Sequence, residues 1–225
     1  SSYFDIVLSN NDGWIQKTLS TPVRYGFEDP NNPFDYGYYH GLGLGDVSND
    51  GYLDVVLSNW HSKRGAITYI NDGEGNFEKF YSINNPDLAE LNASFTNDRM
   101  SFTNELHDVD KDGCLDNLMG GNASYAFIIT YGNCDGTFGD RYEKVFYSDP
   151  TLSAFYAEDE NAIISQVEFK FVDHNSDGLI DILGIATDYN VWRLTYFEQQ
   201  ISDSSISFID KSAQFNQSLI EQGFY

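Results

Sequence analysis

Three stretches of the chain set oxygen-bearing side chains at alternate positions around a glycine: GDVSNDGYLD ending at Asp54, HDVDKDGCLD ending at Asp116 and VDHNSDGLID ending at Asp181. Aligned, positions one, three, five and nine are Asp46, Ser48, Asp50 and Asp54; Asp108, Asp110, Asp112 and Asp116; and Asp173, Asn175, Asp177 and Asp181. Position six is always glycine, Gly51, Gly113 or Gly178. A Ca²⁺ ion takes six to eight oxygens at about 2.3–2.6 Å, and alternate residues wrapped around a tight turn deliver such a shell. The carbonyls of Tyr52, Cys114 and Leu179 at position seven would complete it, and the variety of side chains there suits a backbone ligand. Without a cation, carboxylates this close repel and hold their protons more tightly. The competing reading is a solvated acidic turn, and it is strongest for the first loop, where Ser48 replaces a carboxylate. Mg²⁺ wants a tighter octahedron and Zn²⁺ wants nitrogen or sulfur, so about three Ca²⁺ ions are expected. His107 and His174, beside the loops, read as polar surface rather than ligands. An EF-hand needs a bidentate Glu at position twelve, which here is Leu57, Met119 and Gly184.

The loops recur with a period. Asp46, Asp108 and Asp173 lie 62 and 65 residues apart, and a period of tens of residues means stacked or circularly arranged units. A short apolar run follows each loop (LDVVLSN, LDNLMGG, IDILGIA), then a second run of β-formers (GAITYI, YAFIITY, VWRLTYF). Both read as strands. Hairpin turns follow in NDGEGNF and GNCDGTF, where Gly, Asn and Asp supply positive φ. The third copy has EQQISDSSISF instead, a longer polar hairpin. Each copy is therefore a small antiparallel meander, and FDIVLSNNDGWIQKTL looks like the end of a fourth. Segments such as TPVRYGFEDPNNPFDYGYYHG and NNPDLAELNASFTNDRMSF would be decorated loops between the meanders. PDLAEL and SAQFNQSLIEQ alone have helical flavour and are too short to form a layer, so the expected class is all-β.

The DxDxDGxxD loop, followed by a strand and an NDGxGxF turn at a period near 60, resembles the FG-GAP/VCBS repeats of integrin α-chain heads, fungal propeller lectins and many secreted bacterial proteins. The resemblance implies a β-propeller of four-stranded blades with calcium in the aspartate loops, the positions above being those that match. It covers most of the chain. YYHGLGLGD stands in place of the family's Phe-Gly segment, and LSN, GGN and GIA replace Gly-Ala-Pro, which weakens any specific tie to integrins. The 225 residues make roughly three and a half blades, so a single unit spanning residues 1–225 is expected to be part of a longer propeller or to be completed by partner chains. The C-terminal KSAQFNQSLIEQGFY reads as the outset of a further unit.

Composition narrows the function. A net charge of −23, with 12 basic residues spread along the chain, excludes nucleic acid as a partner. Aromatic residues at 16% argue for a folded core despite the acidity. No run approaches the roughly 20 apolar residues of a membrane helix. SSYFDIVLSNN has neither a starting Met nor a signal segment, so the numbering is expected to begin inside a precursor. Cys114 and Cys134 could form one bridge in an oxidising compartment, and the sequons at Asn92, Asn122 and Asn216 would be glycosylation sites in a secretory pathway. The leading expectation is a secreted or cell-surface, calcium-binding module for adhesion to an extracellular protein or glycan, without catalysis. Its rivals are a self-assembling subunit of an extracellular filament or coat, and a polysaccharide-cleaving enzyme. The carboxylates available for the last, Glu158, Asp159 and Glu160, or Glu105 with His107, read as solvated turn charges.

Overall fold

The computed structural model describes residues 2–10, 13–21, 39–59, 66–81, 103–120, 126–146, 165–187, 192–202 and 205–224. These form fourteen strands and one short helix. The first pair, β1 (Ser2–Asn10) and β2 (Gly13–Thr21), is an antiparallel hairpin in register from Ser2↔Thr21 to Asn10↔Gly13. Three four-stranded antiparallel sheets follow, each a meander in chain order. The first contains β3 (Tyr39–Gly45), β4 (Asp54–Asn59), β5 (Ala66–Asn71) and β6 (Phe77–Tyr81). The second contains β7 (Thr103–His107), β8 (Asp116–Gly120), β9 (Ala126–Gly132) and β10 (Phe138–Phe146). The third contains β11 (Ser165–Val172), β12 (Asp181–Thr187), β13 (Trp192–Ser202) and β14 (Ser205–Asp210).

The sheets are stacked on one another, which explains the unbroken apolar runs after each loop. A strand covered on both faces cannot alternate apolar with polar residues. In β4, Val56 packs with Met119, Ile128 and Phe138 of the second sheet. Its neighbours Val55 and Leu57 face the other way, with Ile67 and Tyr69, towards Ile6 and Leu19 of the hairpin. Between the second and third sheets lie Leu118, Phe127, Ile129, Phe169, Ile182 and Phe197. Phe127 meets Phe169 and Phe197 edge-on, at centroid distances of 4.9 and 4.8 Å. β7 touches both β3 and β11, so the leading strands of successive sheets are neighbours. At β3 the approach is close, and a Cβ on Gly41 would stand 2.9 Å from the Asn104 backbone. Glycine alternating with leucine in HGLGLGD follows from that contact.

The third hairpin is longer than its counterparts, with β13 and β14 paired from Phe197↔Asp210 to Ser202↔Ser205. After it the chain turns into α1 (Ser212–Glu221). The helix lies against β13, where Asn216 Nδ2 donates to Leu194 O at 2.8 Å and Ser212 Oγ accepts from Tyr196 N at 3.0 Å. Among the described residues the class is all-β with this one helical addition.

Candidate metal centre

Each acidic loop joins the first strand of its sheet to the second, and position nine opens that second strand. The loops share one backbone path. Position four is left-handed at Asn49, Lys111 and Ser176 (φ 59°, 63° and 61°), and position six at Gly51, Gly113 and Gly178 (φ 92°, 93° and 83°). Glycine at position six follows from that dihedral, whereas a left-handed position four gave no signal in the sequence beyond one Asn and two polar residues.

The side chains are held by the backbone they wrap. Asp46 accepts Asp50 N at 2.9 Å and Gly51 N at 2.8 Å. Asp173 accepts Asp177 N at 3.1 Å and Gly178 N at 3.0 Å. Asp108 accepts Gly113 N at 3.0 Å through Oδ2. The position-five carboxylates Asp50, Asp112 and Asp177 accept the amides of Tyr52, Cys114 and Leu179 at 2.8–2.9 Å. At position three, Asn175 accepts Asp177 N at 3.0 Å and Asp110 accepts Asp112 N at 3.2 Å.

Position nine does more than offer a ligand. Asp54, Asp116 and Asp181 are fully buried. One oxygen of each takes the amide of position two, from Val47 at 3.0 Å, Val109 at 2.7 Å and His174 at 3.2 Å. The other takes an amide on the third strand of the sheet or at its end: Asn71 at 2.9 Å, Gly132 at 2.9 Å and Gln199 at 3.0 Å. Each position-nine aspartate thus clamps loop, second strand and third strand together. In the third loop Tyr196 Oη also donates to Asp181, at 2.9 Å.

In the second loop Asp108, Asp110 and Asp116 present carboxylate oxygens that all lie within 4.8 Å of one another. Oxygens sharing one Ca²⁺ are at most about 5 Å apart, twice the metal–oxygen distance, so the spacing fits. Asp112 is not in that group. The first and third loops have Ser48 and Asn175 where the second has Asp110, so they offer neutral oxygens there. One ligand-position atom, Asp108 Oδ1, is buried without a hydrogen-bond partner. A buried acceptor with no donor is costly, and a cation in the second loop would satisfy it. The donor set therefore fits a hard divalent cation.

Charge leaves its mark on the clamps. Burial pushes the Asp116 carboxyl up to about 7; the amides of Gly132 and Val109 pull it down, and Asp112 and Asp108 push it further up. Asp54 is raised for the same leading reason, with the amides of Asn71 and Ser48 opposing. Sequence reasoning missed Arg141, which reaches from β10 to pair with Asp110 while lying 3.8 Å over the Tyr131 ring. It also missed the braces between loops. Lys111 Nζ donates to Gly178 O at 2.6 Å, and Gln199 Nε2 to Val109 O at 3.0 Å. Gly136 N donates to Val47 O at 2.9 Å. These contacts join residues about 70 to 90 positions apart, which no local pattern encodes.

The other candidate residues fall as follows. Cys114 and Cys134 are bonded to each other, tying position seven of the second loop to the β9–β10 turn. The first repeat has Tyr52 and Gly73 at the equivalent places, and the Tyr52 ring occupies the space a Gly73 side chain would need. Asn216 lies in α1, and its amide donates to both Leu194 O and Ser212 O at 2.8 Å, so a glycan there would break one of these bonds. Asn92 and Asn122, and Glu158, Asp159 and Glu160, lie outside the described residues. Glu105 pairs with Lys170. Burial lowers the His107 imidazole pKa, with Asp108 opposing, and its ring stacks on Phe171 at 5.2 Å. No described helix is long and apolar enough to cross a membrane.

Compared with known proteins, the chain matches no family model, and no curated protein matches it. The site stands on its own geometry.

Proposed function

We propose that this protein is a calcium-stabilised extracellular binding module, built as a segment of an FG-GAP/VCBS-type β-propeller and without catalytic activity of its own. The observation that carries the reading is the second loop, where three carboxylates converge within 4.8 Å at positions that recur in the two other loops. Asp108, Asp110 and Asp116, with Asp112 and the Cys114 carbonyl, would hold the ion there. The equivalent sets are Asp46, Ser48, Asp50, Asp54 and the Tyr52 carbonyl, and Asp173, Asn175, Asp177, Asp181 and the Leu179 carbonyl. A bound Ca²⁺ supplies positive charge that offsets the repulsion among these oxygens. The protein's own part is to orient them: backbone amides hold the carboxylates, and position nine locks each loop to its sheet.

Stacked four-stranded meanders whose first strands are neighbours support the propeller reading. The Cys114–Cys134 bond supports an oxidising compartment. Native mass spectrometry before and after chelation tests the reading. A mass increment of about three calcium ions that chelator removes is the expected result, and a chain that binds no divalent cation at millimolar calcium would refute it.

A further inference from the structure

Between the third loop, β13 and α1 lies a cavity of about 270 Å³, lined by His174, Tyr196, Glu198, Lys211, Gln214, Phe215 and Ser218. We propose that it binds a neutral pyranose ring of a glycan; the proposal rests on the binding-module reading above and names its ligand class. The lining comes from regular elements. Tyr196 and Glu198 alternate onto one face of β13, Gln214 and Ser218 stand one turn apart on α1, and Phe215 projects beside them. Position two of the third loop contributes His174.

Three rings pack together at the cavity wall, with His174 exposed, Phe215 half-buried and Tyr196 almost wholly buried. His174 meets Tyr196 at 5.0 Å and Phe215 at 5.2 Å, and Tyr196 meets Phe215 at 5.4 Å. Around them stand a carboxylate, an ammonium, a carboxamide and a hydroxyl. Among the described residues, neither Lys211 nor Gln214 commits its side chain to another hydrogen bond. A hexose has this complementary form, with C–H groups on one face and donor–acceptor hydroxyls round the edge. The cavity is too small for a folded peptide element. Its single acid and single base balance, so no ligand charge is selected locally, and the field of a −23 chain opposes anionic sugars.

The pocket is also wired to the third calcium loop. Asp181, the clamp of that loop, accepts both Tyr196 Oη at 2.9 Å and His174 N at 3.2 Å. Asp181 thus holds the Tyr196 ring through its hydroxyl and the His174 backbone through its amide, so the loop and the pocket share one carboxylate.

The test is saturation-transfer NMR with the methyl glycosides of glucose, galactose, mannose and N-acetylglucosamine, on the full chain in calcium and in chelator, with bound calcium counted by native mass spectrometry on the same sample. One or more glycosides bind, and binding weakens about tenfold or more in Phe215→Ala and Glu198→Gln. Gln214→Ala, at an exposed helix position, also weakens it and keeps the result readable should Phe215→Ala disturb α1. Trp192→Ala, at an exposed ring outside the cavity, leaves binding unchanged. Calcium-loaded protein that binds no glycoside overturns the pocket and leaves the calcium module standing. Glycoside binding that survives the three pocket substitutions, or is lost only in Trp192→Ala, overturns the pocket too. Failure to load calcium refutes the underlying module.

Discussion

Replacing Asp116 by alanine separates the clamp from the metal ligand. Asp116 is fully buried and accepts Val109 N at 2.7 Å and Gly132 N at 2.9 Å. Alanine strands both amides, at about 1–3 kcal/mol each, so the chain loses about 4 kcal/mol before any metal is considered. For a chain of this length about 1 kcal/mol moves the melting temperature by roughly 2–4 °C, which gives a fall of about 8–16 °C. Asp112, by contrast, is exposed and accepts only Cys114 N. Its replacement by alanine costs about 1 kcal/mol in chelator. In calcium the order changes character: each variant also forfeits the increment of the second site, about 2.7 kcal/mol at a hundredfold excess over Kd. Thermal melts followed by circular dichroism, in chelator and in calcium, read all four quantities. If Asp116→Ala and Asp112→Ala melt together in chelator, the position-nine aspartate is not a clamp and the division of labour drawn here is wrong.

Three further outcomes are expected. The Asp116 carboxyl is raised from 3.8 to about 7 in the folded chain, so its contribution to metal-free stability is complete below pH about 4, is lost as pH rises to about 7 and is flat above; Asp116→Asn removes that slope in chelator melts taken from pH 4 to 8. Removing the Cys114–Cys134 bond with a pair of serines opens a loop of sequence separation 20 and costs about 3 kcal/mol, read as a lower denaturant midpoint. Asp112→Ala lowers the calcium-loaded melting temperature more than Ser48→Ala, because it takes a charge from the most acidic loop; equal melts would reverse that ligand ranking.

What was legible in the sequence was whatever short-range chemistry dictates. Alternate oxygens around glycine mark the loops because both the hard-cation shell and the left-handed turn are built from consecutive residues. The apolar runs and the turn residues Asn71–Asn76 mark the strands for the same reason, and the structure places the Asp72 N to Asn76 O bond and the Asn133 N to Thr137 O bond at equivalent turns. Hidden were the features that need the third dimension. Asp54, Asp116 and Asp181 looked like ligands equal to their neighbours, yet burial under two strands makes them clamps. No local pattern marks Gln199 or Lys111, yet both hydrogen-bond from one repeat to another. The helix α1 carries few apolar residues and no basic last turn, so its stability comes from lying on β13 rather than from propensity.

The comparison of repeats gives the bridge a meaning that its mere presence does not. Cys114 and Tyr52 both occupy position seven, and Cys134 and Gly73 both occupy the third place of the following turn. In the first repeat the loop leans on the turn through a ring over a glycine; in the second the same two points are joined covalently. Position seven is where the calcium shell would take a carbonyl, so each device fixes the one ligand that no side chain controls. The second loop, holding the densest carboxylates, needs that restraint most, because its charges drive it apart when no ion is bound. The double serine variant should accordingly lower the calcium affinity of the second site while the first and third keep theirs. Isothermal titration read site by site against Asp112→Ala decides it: a uniform loss at all three sites would mean that the bridge acts on the whole fold and not on the loop.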